Sequence, residues 1–282
     1  MAGRAPLVQT RPEPHDRARG LVSSRTSGRR VRSETVPPPP SLRDVVATFW
    51  IGEWDLPEEE PHETELLGDP CMHVVIEDGE ARREGRVVGV WTHLWRRRLE
   101  GRGKVVGVKI RAGAARAFFD EPASHYTDAI TPLEDVFGPS TRRLEQLVRG
   151  APDDPTAIGH MSAWLVARRR PRDREDTSLA VALVERITND LDITKVEHLE
   201  VASGLHRRVL ERLFAEHVGA PPKHVIRRHR LQEVALRLER GEAPSLADLA
   251  AELGYTDQSH LTRDFKSVVG KSPREFGLKV HE

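Results

Sequence analysis

A chain of 282 residues is long enough for about two domains, each with a core of its own. Its 44 basic and 44 acidic side chains cancel to a formal charge of zero, which excludes a histone-like polycation that coats nucleic acid by charge alone. A single cysteine, Cys71, excludes an internal disulfide, and no apolar run approaches the ~20 residues of a membrane helix, so the expectation is a cytoplasmic protein.

Residues 1–36 are rich in arginine, proline and serine and carry almost no apolar periodicity, so a disordered tail is expected there. Pro37 to Pro40 form a short polyproline spacer that closes it at residue 40. Residues 41–167 read as a strand-rich domain. Runs 45–51, 72–76, 87–94 and 104–111 are β-branched or aromatic, are separated by glycine, proline and Asp-Gly punctuation, and suit antiparallel pairing. Helices are expected at 114–119, at 140–149, and from Asp154-Pro155 through Ile158, Met161 and Leu165.

Trp50, Trp54, Trp91 and Trp95 all lie in this half. Two-residue spacing puts Trp91 and His93 on one strand face, so a barrel interior lined by Trp50, Trp91 and His93 is the candidate effector pocket. Ordinary core or an oligomer interface is the alternative for the tryptophans. His62, Glu63, His73, Glu77 and His93 raise the question of a metal, but no His-x-His pair occurs. His73 and Glu77 would stand about 13 Å apart on a strand, too far to share one ion. Neither a metal nor a cofactor is expected, and Cys71 reads as a small buried hydrophobe.

Residues 168–177 form a charged, proline-broken linker, and 178–282 carry a different pattern. A scaffold helix over 178–190 leads into a first helix-turn-helix at about 195–219, with Thr194 and Glu197 as a capping box, Gly204 at the turn, and Leu210, Leu213 and Phe214 facing inward. A connecting helix over 222–240 would span ~27 Å, near the ~34 Å repeat of B-DNA once helix widths are added. The second motif, at about 245–270, opens with Ser245 and Asp248 as a capping box, turns at Gly254, and restarts with Thr256 as cap. There Leu261, Phe265 and Val268 or Val269 face inward while Ser259, Thr262, Arg263 and Lys266 face out. Ser272, Pro273 and Glu275 start a last helix. The first copy departs at two places: Glu200 stands where Ala250 stands in the second, which would loosen the helix crossing unless its carboxylate turns outward. His206 replaces the usual cap, at about 1 kcal/mol.

The spacing of Ala250, Gly254, Gln258-Ser259-His260-Leu261-Thr262-Arg263, Phe265, Gly270 and Pro273 resembles the second helix-turn-helix of AraC-family transcriptional regulators, and the upstream copy sits where that family has its first. The amino-terminal half resembles the effector or dimerisation domain of some members, through Phe49-Trp50, Gly68-Asp69-Pro70-Cys71, Ala112-Gly113 and Pro132-Leu133-Glu134-Asp135. The resemblance implies an α+β protein with a β-rich, barrel-like sensor or dimerisation domain flanked by helices, and an all-α domain of two helix-turn-helix motifs joined by a long helix. It implies no enzyme activity. Its partners would be double-stranded DNA, a small-molecule effector, a second copy of the chain and, for an activator, RNA polymerase.

Carried over by position, the base-reading residues would be Arg208, Glu211 and Arg212 in the first motif and Gln258, Ser259, His260, Thr262 and Arg263 in the second. Arg207, Arg227, Arg228, Lys266 and Lys271 would hold phosphates. Arginine suits guanine, glutamine adenine, and a glutamate can accept from cytosine. The alternative for Arg212 and Arg263 is a salt bridge to Glu216 and Asp264. For the chain as a whole the alternative is a non-catalytic interaction module in which a degenerate motif docks on protein.

Overall fold

Alternation of side chains builds the amino-terminal half into two sheets. The computed structural model describes residues 21–25, 31–57, 61–170, 174–242 and 245–280. Its strands are β1 (Leu21–Arg25), β2 (Val31–Val36), β3 (Val46–Asp55), β4 (His62–Leu66), β5 (His73–Gly79), β6 (Gly85–Val88), β7 (Trp95–Leu99), β8 (Arg102–Ile110) and β9 (Ile130–Pro132). Six of them hydrogen-bond in the order β2-β3-β8-β5-β6-β9 and three in the order β1-β4-β7, every pairing antiparallel. On one face of the larger sheet Phe49, Ile51, Val74, Ile76, Val106 and Val108 pack against helices. On the other, Trp54, Val75 and Val105 pack with Trp50 and with Leu99 of the smaller sheet. The indoles lie across two glycines of β8: a Cβ on Gly107 would fall 2.3 Å from the Trp50 ring, and one on Gly103 would fall 2.2 Å from the Trp54 ring. No larger residue fits under either ring.

Three sequence expectations need correction. First, the expected tail is not all tail: residues 1–20 and 26–30 lie outside the described residues, but β1 pairs with β4, and β2 pairs with β3 from Val31 opposite Trp54 to Val36 opposite Phe49. The free edge of β3 is a template that an extended, alternating segment can complete. Second, the run 87–94 is a strand only to Val88. Beyond it the Gly89 N–H turns to the Ala129 carbonyl, and Asp128 takes the backbone N–H and the hydroxyl of Thr92, so Trp91 and His93 lie outside any strand. Third, the helix expected over 114–119 is a single 3₁₀ turn, Ala115–Ala117.

The helices are α1 (Leu133–Phe137), α2 (Thr141–Arg149), α3 (Asp154–Arg168), α4 (Arg174–Asn189), α5 (Val196–Ser203), α6 (Arg207–His217), α7 (Pro222–Glu239), α8 (Leu246–Glu252), α9 (Gln258–Val269) and α10 (Pro273–Val280). The charged stretch read as a linker is partly absorbed: α4 starts within it and buries Thr177, while Arg169 bonds back to the Ser41 carbonyl at 2.6 Å. One apolar cluster runs from Leu42 through Leu144 of α2 and Met161 of α3 to Leu210, Phe214 and Ile226. A second contains Leu231, Leu249, Leu253, Leu261, Phe265 and Phe276, with Leu67 of the β-rich half inserted into it.

Between the sheets Arg86 and Arg97 both donate to the Glu77 carboxylate, Arg97 at 2.8 Å. At the other end of β5 His73 is edge-on to Trp50, its Nδ1 buried without a hydrogen-bond partner among the described residues. Burial, reinforced by Lys109, pushes its pKa from 6.5 down to about 3. A histidine depressed on folding contributes stability above its unfolded pKa, and that stability is lost as pH falls from 6.5 toward 3. The urea midpoint should therefore fall across this window, and His73→Phe should flatten the fall; an unchanged pH profile would rule His73 out as a cause.

Candidate nucleic-acid interface

Each helix-turn-helix presents one polar helix whose opposite side is locked in a core. In the second motif the Ser245 hydroxyl accepts the Asp248 N–H at 3.0 Å, and Gly254 takes the left-handed turn at φ +68°. A Cβ there would lie 2.9 Å from Thr194, so the glycine is also where the two motifs touch. Asp257, not Thr256, caps α9, accepting the His260 N–H at 2.7 Å. Ser272 and Glu275 form the expected capping box ahead of α10.

The first motif is capped differently from the sequence expectation. Lys195 occupies the N-cap of α5 and, having no side-chain acceptor, makes no capping bond, while Thr194 turns to His198 and Glu197 pairs with Arg207. Glu200 does not loosen the crossing. Its Oε1 reaches over the turn and accepts the Arg207 N–H at 2.7 Å, placing a carboxylate at the positive end of α6. His206 adds a longer bond from the Arg208 N–H at 3.4 Å. Glu200→Ala should thus destabilise the first motif by about 1 kcal/mol, a typical capping loss, seen as faster amide exchange in α6; unchanged exchange would show that His206 suffices.

Arg208, Glu211 and Arg212 are exposed on α6, as are Gln258, Ser259, His260 and Arg263 on α9, with Thr262 half-buried. The salt bridges considered as alternatives do not form. Glu216 pairs with Arg116 at 3.6 Å, and Asp264 is held by Arg227 and by the Tyr255 hydroxyl at 2.9 Å. Among the described residues Arg263 bonds along its own helix, to the Ser259 carbonyl at 3.3 Å.

The expected phosphate contacts divide. Arg207 and Lys266 are exposed. Arg227 is spent on Asp264 and on Ser267 at 2.8 Å, which fastens α9 to α7, and Lys271 lies 3.6 Å from Glu65 of β4. Arg228 must be withdrawn as a phosphate ligand in this fold. It is 2% exposed and donates to the carbonyls of Gly68 at 2.6 Å and His93 at 3.4 Å. Burial lowers its pKa to about 10, so it is still charged at neutral pH. One turn on, Gln232 donates to the Leu67 carbonyl at 3.0 Å and to Asp69 at 3.1 Å. The sequence places Arg228 and Gln232 three and seven residues after Val225, on the side of the apolar stripe of α7, but does not name what covers them.

The shared strand face expected for Trp91 and His93 does not exist, since neither lies in a strand. Trp50 packs on His73, whereas His93 is exposed, its ring 3.9 Å from Asp128. Among the described residues, no group of three or more His, Cys, Asp or Glu could hold a metal ion, and no helix is long and apolar enough to cross a membrane.

Residues 201–278 match the family model of a helix-turn-helix domain, and residues 34–132 match that of a domain of unknown function, DUF6597. An uncharacterised helix-turn-helix-type transcriptional regulator of Haemophilus influenzae is 28% identical over 109 residues, covering 39% of this chain and 35% of that protein. The F1 operon positive regulatory protein of Yersinia pestis is 32% identical over 101 residues, covering 34% and 33%. A protein described as an AraC-like transcription regulator from Streptomyces antibioticus is 35% identical over 81 residues, covering 29% and 26%. The matched region thus spans about a third or less of each relative's length. Among solved structures, ToxT from Vibrio cholerae O395 aligns over 82% of this chain and 98% of its own at 10% identity, with a TM-score of 0.39.

Proposed function

We infer, from the premise that its carboxyl-terminal region is a helix-turn-helix domain of the AraC type, that this chain is a sequence-specific transcriptional regulator whose α6 and α9 read two segments of one DNA duplex. What carries the reading is that both helices expose polar side chains at capped N-termini while their apolar sides are fixed on opposite ends of α7. The 18 residues of α7 give ~27 Å of separation. Arg208, Arg212 and Arg263 would face guanine, Gln258 adenine and Glu211 cytosine, with Ser259, His260 and Thr262 beside them. Arg207 and Lys266 would neutralise phosphates, and Arg227 would position α9 through Asp264. A homodimer and, for an activator, RNA polymerase are the protein partners that fit, with the cytoplasm as the setting. The interaction-module reading rests on Glu200 and on the zero net charge, and the bond from the Arg207 N–H to Glu200 removes the first of these.

Selection of bound fragments from random duplex DNA tests the inference. A bipartite motif with sub-sites about 10 base pairs apart is expected. Salt-sensitive binding with no recovered motif would overturn it.

A further inference from the structure

The two helix-turn-helix motifs rest on α7 through different apolar clusters, the first through Val225 and Ile226 and the second through Leu231, Val234 and Ala235. The rod fixes how far apart they lie, but the angle between them depends on what joins them across its middle. There the Gly254 turn meets Thr194 so closely that a Cβ would fall 2.9 Å from it. Arg230 of α7 reaches both sides of this junction. Its guanidinium carbon lies 3.8 Å from the centre of the Tyr255 ring, and its Nη1 donates to the Thr194 carbonyl over a long 3.5 Å. Its Nε and Nη2 are buried with no hydrogen-bond partner among the described residues. Withdrawing those two N–H groups from water costs stability, so the contact is better explained by where it holds its partners than by how much it stabilises them. The partners belong to different motifs. Thr194 precedes α5 and turns its N–H and hydroxyl toward His198 of that helix. Tyr255 follows the Gly254 turn, donates its hydroxyl to Asp264 of α9 at 2.9 Å, and meets the His260 ring edge-on at 5.2 Å.

We propose that Arg230 is a positioning residue: stacked on Tyr255 and bonded to Thr194, it sets the rotation of α9 relative to α6, and through it the base-pair spacing at which the two sub-sites are read together. The spacing role rests on the DNA-reading function; the clamp between the motifs does not. One added base pair turns a sub-site by about 34° and carries it about 3.4 Å along the duplex. A junction that resists such a rotation makes neighbouring spacings unfavourable, whereas a hinge at the same place accepts them. Arg230 lies on α7, half-buried between the motifs, and is not among the outward side chains of α6 or α9. Its removal therefore changes the preferred spacing without changing the preferred bases.

Binding of the full chain to duplexes whose two selected sub-sites are moved one base pair closer or farther apart tests the spacing role. The unsubstituted chain should lose about tenfold or more in affinity at either altered spacing. Arg230→Met keeps the stem and removes the flat cation, and should cut that loss to about threefold or less, with affinity for either sub-site alone held within about twofold. Arg230→Lys, which keeps the charge without the planar fork, should relax the spacing in the same direction and guards against misfolding of the first variant. The clamp is read without DNA by spin labels on Val201→Cys of α5 and Ala251→Cys of α8, equivalent exposed positions of the two motifs, with Cys71 buried and so unlabelled. One narrow distance distribution is expected, broadened or shifted by Arg230→Met. An undiminished spacing preference or an unchanged distribution would overturn the proposal. So would loss of single sub-site binding in both variants, which would make Arg230 a support for one motif's fold. If the selection recovers no motif, the DNA-reading function falls with the spacing role, and the label distances alone decide the clamp.

Discussion

Arg228→Ala should leave the slope of log K against log salt for DNA binding unchanged and destabilise the folded chain by about 2–4 kcal/mol, because it strips two buried carbonyls of a charged donor. A phosphate anchor would behave in the opposite way: Lys266→Ala should cost little stability and reduce the magnitude of the slope by about 1. The two lysine and arginine positions belong to the same domain, so comparing them controls for global changes in charge. Arg263→Ala supplies the third pattern, weaker binding confined to sequences with the preferred base at one position, by about 1–3 kcal/mol. Denaturant melts and salt titrations on the three variants separate these roles. A reduced slope with Arg228→Ala would mean that the loop carrying Leu67, Gly68 and Asp69 leaves α7 before DNA binds, exposing the guanidinium to phosphate.

What the sequence made legible was local. Ser245, Gly254, Ser272 and the inward stripe of Leu261 and Phe265 act within a turn or two of themselves, so capping and periodicity were enough to find them. The same locality gave the exposed faces of α6 and α9. Strands β4 and β7 were invisible because each reads as a polar run, HETEL and WRRRL; only when paired do Glu65 and Arg96, or Glu63 and Arg98, become cross-strand ion pairs. The seam between the halves was equally hidden. Whether Arg228 meets solvent, phosphate or a carbonyl depends on a loop 160 residues away, and no periodicity within α7 specifies that partner. Glu200 shows the converse: a residue that breaks the pattern of its motif is absorbed by a bond seven residues along the chain.

Phe265→Ala should open the second motif while the rest of the chain stays folded, and Phe214→Ala should weaken the β-rich half and the first motif together. Both rings are fully buried, and each truncation costs about 3–5 kcal/mol. The difference lies in which cluster loses the ring. Phe265 packs on Phe276 at 5.6 Å inside a small core shared by α7 to α10, whereas Phe214 belongs to the continuous cluster that reaches Val108 and Ile110 in the sheet. Calorimetry of Phe265→Ala should resolve a new low-temperature transition, hydrogen exchange should speed up in α8 and α9 but not in β8, and DNA selection should recover only the sub-site read by α6. Phe214→Ala should instead move the main transition, with protection lost in β8 and α6 alike. The opposing influence is the bridge between the cores: Leu67 in the second cluster, and Arg228 and Gln232 bonded to the loop that carries it. If Phe265→Ala shifted one undivided transition and α9 and β8 lost protection equally, those few contacts would be strong enough to make the two cores a single cooperative unit, and a signal in the amino-terminal half would reach α9 as directly as it reaches α6.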